Sequence, residues 1–203
     1  VFIEKIADVD ARRFFQIAFS ETVRESSNTR NNEFKLYRYD DAALKKFTPD
    51  VFGIMATKLK RNRDGLQKFL AIMHNFKRLP KASVHEFNTV LEIPESKLAP
   101  ASVDIVVTSP PYGDSHTTVA YGQYSRLSAA WLELEEPDKI DNKLMGGKTL
   151  KKIPTFSCDA LDEALKRVGQ VDSKRALEVS AFYSDLQNSI ANVAQVIKPG
   201  GYA

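Results

Sequence analysis

The stretch VDIVVTSPPYGDS, residues 103–115, decides how the rest of the chain is read. Val103 to Val107 are apolar apart from Asp104, and they lack the alternation of a strand with one wet face. Such a run predicts the middle of a parallel sheet covered by helices on both sides. Thr108 and Ser109 follow, and then Pro110 and Pro111. Each proline fixes φ and lacks a backbone N–H, so the strand must end there in a rigid corner. In open parallel sheets, ligands bind beyond the carboxyl ends of the strands, and this corner lies at such an end.

The corner is equipped to hold an amine. The exocyclic nitrogen of a nucleobase is a poor nucleophile, because its lone pair is delocalised into the ring. Two acceptors that take both of its N–H protons favour a tetrahedral nitrogen with the lone pair freed. Ser109 Oγ supplies one acceptor, and a proline carbonyl of the Pro110-Pro111 pair supplies the other, aimed by the rigid ring. Tyr112 adds an aromatic face for stacking, worth roughly 1–3 kcal/mol per base. A base reaches such a corner only after rotating out of the duplex.

Ser109-Pro110-Pro111-Tyr112 after an apolar strand resembles the catalytic motif of the amino-group DNA methyltransferases. That motif is (Asp, Asn or Ser)-Pro-Pro-(aromatic), and its serine version is typical of cytosine-N4 enzymes. Lys198-Pro199-Gly200-Gly201 is similar to a turn before the next sheet strand in many S-adenosylmethionine-dependent methyltransferases. The stretches at 18–38 and 119–132 also resemble proteins known as DNA methylases. The resemblance implies an α/β fold: a Rossmann-like methyltransferase sheet, partly contained in this chain, with an added N-terminal helical region. It further implies S-adenosylmethionine as cofactor, DNA as partner, a restriction endonuclease as a possible companion, and a cytoplasmic location. Ser109, Pro110, Pro111 and Tyr112 take the catalytic positions. Asn88, Thr108 and Ser109 take cofactor-binding ones, Asn88 standing where many relatives carry an acidic residue facing the adenine.

The aromatic-x-Gly-x-Gly loop and the acidic ribose ligand of the family are not among these 203 residues. The resemblance places them upstream of Val1, or downstream if the motif order is permuted. Three rivals to cytosine-N4 methylation stay open: adenine-N6 methylation by the same geometry, an RNA or protein-amide substrate, and a non-catalytic nucleic-acid-binding or specificity subunit. Cytosine-C5 chemistry is excluded, since its cysteine nucleophile follows a proline, whereas Cys158 lies in FSCDA.

Composition is that of a soluble globular protein, 43% hydrophobic and 27% charged. One cysteine rules out a disulfide framework, and with three scattered histidines it leaves no zinc site. Residues 1–81 carry 17 Lys and Arg against 10 Asp and Glu, a surplus of +7, while residues 82–203 carry 12 against 16. The chain therefore divides into a basic, mainly helical region over 1–81 and part of a catalytic α/β domain over 82–203. The basic half suits a polyanion.

Periodicity predicts helices over 10–25, with Phe14, Ile17, Ala18 and Thr22 inward, and from Pro49 onward with Thr48 as N-cap. Gly65 is positioned to break or bend the second of these, and Lys58, Lys60, Arg61, Arg63 and Lys68 form its outer face. Residues 33–39 read as a short strand or an extended arm. Residues 83–90 read as a strand, 125–134 as a helix and 135–160 as a long loop. Residues 173–197 form a further helix with Leu177, Ala181, Leu186, Ile190, Val193 and Ile197 inward. A helix stop and a glycine pair then lead into a strand, completing a βαβ unit. Tyr121, Tyr124 and Arg126, just after the motif, are candidates for gripping DNA, as are Lys148, Lys151 and Lys152 for its phosphates. MGGKT (145–149) is not a phosphate loop, because Asn142 occupies the required first glycine position.

Overall fold

The computed structural model describes residues 2–30, 36–76, 80–110, 122–134 and 136–203. It divides into two compact units, the first made of residues 1–82 and 120–140, the second of 83–119 and 141–203. The boundary near residue 82 coincides with the charge divide, whereas the stretch after the motif sits with the N-terminal helices and not with the α/β part.

The first unit is built on α1 (Val9–Glu25), capped by Asp8, whose carboxylate accepts the Ala11 N–H at 2.7 Å. Ala18 and Thr22 are buried as the spacing predicts, but Ile17 is 57% exposed. Arg24 takes a place in the buried stripe instead, at 5% exposure. Residues 28–30 and 37–39 pair antiparallel through Arg30 N to Tyr37 O and Tyr39 N to Asn28 O, while residues 33–35 of the expected strand or arm lie outside the described residues. A short helix α2 (Asp41–Lys46) precedes α3 (Val51–Met73). The cap of α3 is Asp50, not Thr48, with its carboxylate accepting from Gly53 N at 2.9 Å. Gly65 does not interrupt the helix. One glycine in a long helix costs about 1 kcal/mol, too little to break twenty-odd hydrogen-bonded residues. Helix α4 (Gly122–Trp131) lies against α1, with Ser128 Oγ donating to Ser20 O at 2.7 Å and Phe19 meeting Trp131 edge to face.

The second unit contains the parallel pair β1 (Val103–Ile105) and β2 (Ile197–Tyr202). A parallel neighbour reached through helices is the expected βαβ arrangement. Two corrections go with it. First, the KPGG sequence is inside β2, not before it. Val103 and Ile105 face Ile197 and Tyr202, so the intervening residues of β2 bulge out of register. Gly200 takes the left-handed region at φ +80, and a Cβ on Gly201 would lie 2.7 Å from Ile197 Cγ2 and 2.9 Å from Asp104 O. Second, β1 is not covered on both faces: Ile105 is 61% and Val107 88% exposed. Among the described residues β1 has one partner strand, and a strand is buried only when further layers lie over its pleat.

Residues 83–90 form no strand. The segment ends in a turn at Asn88 to Leu91, fastened to the last long helix through Thr89 and Ser189 (2.8 Å) and Asn192 Nδ2 to Thr89 O (2.8 Å). Within the expected 135–160 loop there is a 3-10 turn (Pro137–Lys139) and a helix α5 (Ile140–Lys143). Helix α6 (Asp159–Val171) then begins at its very end. Helix α7 (Ser173–Val196) packs on α6, and its buried residues are Ala176, Ser180, Ala181, Phe182 and Val196; Ile190, expected inward, is 60% exposed. Small side chains let the two backbones approach, and Gly169 stands opposite Ala176 while Leu165 of α6 is fully enclosed.

Candidate functional site

The motif leaves the carboxyl end of β1 as the sequence requires. Val106 N donates to Tyr202 O at 2.9 Å, fixing the backbone up to the last residues before the corner. Thr108, Ser109 and Pro110 then stand exposed, with their polar groups open to a ligand. Pro111, Tyr112 and Tyr121 lie outside the described residues. Asn88 is exposed, and its Oδ1 already accepts the Val90 N–H at 2.9 Å. Its amide N–H groups are therefore the part suited to a ligand, which fits a ring nitrogen acceptor such as adenine offers. Among the described residues no cluster of His, Cys, Asp and Glu could hold a metal ion, and no helix is long and apolar enough to cross a membrane.

Lys148, Lys151 and Lys152 are exposed in the second unit, between α5 and α6. The glycine pair before them is a clamp. Gly146 N donates to Asp185 Oδ2 at 2.8 Å with φ +72, and a Cβ there would meet the Phe182 backbone at 3.1 Å. A Cβ on Gly147 would lie 2.3 Å from Asp141 O. Gly146 thus serves close packing on α7 and Gly147 close packing on the backbone of α5 and the turn after it, and the three lysines beyond them are exposed.

Tyr124 and Arg126 belong to the first unit, on α4. The Arg126 side chain is turned to Asp138, Nε to Oδ1 3.4 Å, and only about a third of it is exposed. Tyr124 is 54% exposed, and the buried Arg24 guanidinium lies over its ring at 4.9 Å from the centroid. Of the basic face expected on α3, Lys58 and Arg61 point to α1: Lys58 Nζ lies 2.6 Å from Glu25 and 3.7 Å from Glu21, and Arg61 binds Glu21. The hydrogen bond from Arg61, more than the nearby charges, holds the Glu21 carboxyl below its ordinary range. Lys60, Arg63 and Lys68 remain exposed, Arg63 against Asp64. Sequence reasoning missed Arg24 and this ion-pair network. The available signal was the spacing of Glu21 and Glu25, one turn apart on α1, opposite Lys58 and Arg61, one turn apart on α3.

No protein-family model matches the chain, and no solved structure matches it. Among characterised proteins it is 41% identical over 211 residues to the Type II methyltransferase M.MvaI of Kocuria varians. The match covers 98% of this chain and 46% of that protein, so the chain spans about half the length of the relative. A parallel strand pair that delivers Ser-Pro to an exposed corner, with helices between the strands, is an α/β arrangement compatible with such an enzyme. Over nearly all of its length, then, this chain is similar to about half of the Type II methyltransferase M.MvaI.

Proposed function

We propose that the protein to which this chain belongs transfers a methyl group from S-adenosylmethionine to an exocyclic amino group in DNA, cytosine N4 in the first instance. The observation that carries this reading is the position of Ser109 and Pro110, exposed at the carboxyl end of a parallel strand, in a chain similar throughout to a Type II methyltransferase. S-adenosylmethionine supplies an electrophilic methyl carbon when bound. Thr108, Ser109 and the Asn88 amide are the residues assigned to contact it in this reading.

Ser109 Oγ and a proline carbonyl accept hydrogen bonds from the two amino N–H groups, which localises the nitrogen lone pair; the C–N bond would form as the S–CH3 bond breaks, with S-adenosylhomocysteine leaving and one proton passing from the methylated nitrogen to solvent. Tyr112 stacks on the base and holds the ring so that the nitrogen faces the methyl carbon. Orientation carries most of the acceleration in such a reaction, since no enzyme-bound intermediate is needed. The serine in the first motif position favours cytosine over adenine.

The test is to incubate the full-length protein with DNA and tritiated S-adenosylmethionine, digest to nucleosides, and identify the labelled base. Label in N4-methylcytosine that falls at least 100-fold with Ser109→Ala is the expected result, the scale of one lost preorganised hydrogen-bonding group. Label in N6-methyladenine would keep the mechanism and change the base. Undiminished label in Ser109→Ala would remove the serine from the mechanism, and no label from folded protein that binds DNA would leave a binding subunit.

A further inference from the structure

Between α1 and α4 the first unit contains a hollow of about 450 Å³, inside the range of small-ligand pockets. Its wall combines Tyr124, Arg24, Glu21, Glu25, Lys58 and Ser128 over an apolar floor from Ala129 and Leu132. We propose that this hollow takes an unpaired nucleobase of the DNA, distinct from the methylated one, with Tyr124 as the stacking face and Arg24 as the residue that positions the ring. The inference rests on the DNA-methyltransferase reading above, which assigns the methylated base to Tyr112 and so leaves Tyr124 for another.

Three observations converge on a base. The Tyr124 ring is backed on one face by the Arg24 guanidinium, and the residue as a whole is 54% exposed. Its helix is fastened by Ser128 to Ser20 O and by Gln123 Oε1, which accepts the Leu36 N–H at 3.3 Å. The ring is thus ordered before any ligand arrives, which lowers the entropic cost of stacking. On the polar side of the wall Glu21 and Glu25 are paired with Lys58 and Arg61, so these four charges balance and the carboxylate oxygens act as hydrogen-bond acceptors. A planar, neutral group with N–H donors on its edge meets both demands, and an unstacked base is such a group.

The experiment measures DNA affinity of the full-length protein against salt concentration for the unmodified chain and for Tyr124→Leu, Tyr124→Phe and Tyr124→Trp. Tyr124→Leu is expected to weaken binding about 5- to 100-fold, the scale of one lost base stack. Phe stays within about twofold of the unmodified protein and Trp equals or exceeds it, because both keep an aromatic face. The slope of log affinity on log salt is the same in all four, since no phosphate contact changes. Tyr124→Leu binding as tightly as the unmodified protein would overturn the proposal. So would equal losses in Leu and Phe, which would point to the hydroxyl, or a shallower slope, which would point to phosphate. No DNA binding by the unmodified protein would overturn the methyltransferase reading along with it, which separates the two failures.

Discussion

Glu21 shows how one residue's titration reports the packing of α1 on α3. Its carboxyl is lowered from the usual 4.5 chiefly by the hydrogen bond from Arg61, with Lys58 adding a smaller effect. A depressed carboxyl stabilises the fold above its unfolded value, and that stabilisation is lost as pH falls through the lower folded value. Glu21→Gln is therefore expected to reduce stability at pH 7 by about 0.5 kcal/mol, modest because over a third of the side chain is exposed. Thermal melts of both proteins should converge as pH falls through that lowered folded value. A gap that persists at low pH would show that packing, and not charge, holds Glu21. At Gly201 the constraint is steric: a Cβ would press on the Asp104 carbonyl and on Ile197, backbone and side chain of the strand pair. Gly201→Ala should destabilise by about 1–3 kcal/mol, readable as a lower denaturant midpoint.

At the scale of elements, the caps and breaks of α3 give a paired prediction. Asp50→Ala removes the carboxylate that receives Gly53 N–H and should cost about 1 kcal/mol, while Thr48→Ala should cost almost nothing. Gly65→Ala should stabilise by a similar amount, because no atom lies within 4 Å of the new methyl group and the helix is continuous there. Equal effects at Asp50 and Thr48 in thermal melts would overturn the cap assignment. These sites also show what was legible in the sequence. The helices α1, α3, α4 and α7 were readable because amphipathic spacing is local, and the β1–β2 unit because an apolar run before a double proline has few other readings. The cap of α3 was misread by two residues, since Thr48-Pro49 and Asp50 offer competing capping oxygens within one turn. Helix α6 was missed because the turn-rich stretch before it masked its start. The strand expected at 83–90 failed for a different reason: β structure needs a neighbour, and this segment is fastened by side chains to α7 instead. The inner stripe of α7 shifted because small residues, Ala176 and Ser180, were chosen over larger ones by the close approach of α6. Arg24 and Tyr124 could not be read as a pair at all, being a hundred positions apart and joined only by the packing of α4 on α1.

For the molecule as a whole, the proposed function raises the question of which cations would meet DNA. The charge divide along the chain favours the N-terminal half, but folding spends part of that surplus internally: Lys58 and Arg61 are neutralised by Glu21 and Glu25. Of the cations singled out from the sequence, those that stay exposed are split between the units, with Lys60, Arg63 and Lys68 in the first and Lys148, Lys151 and Lys152 in the second. Each cation that meets a phosphate displaces a counterion and steepens the dependence of log affinity on log salt by about 0.9. The lysines of the second unit are the stronger candidates, because the glycine clamp on Asp185 and Phe182 holds their loop at a fixed place on the unit that carries Ser109. Replacing all three with alanine should lower the slope by up to about 2.7 and weaken binding most at low salt. The same replacement at Lys60, Arg63 and Lys68 should change it less, since Arg63 already faces Asp64. If the first set leaves the slope unchanged and the second lowers it, the DNA backbone runs over α3, and the clamp on α7 is there for packing alone.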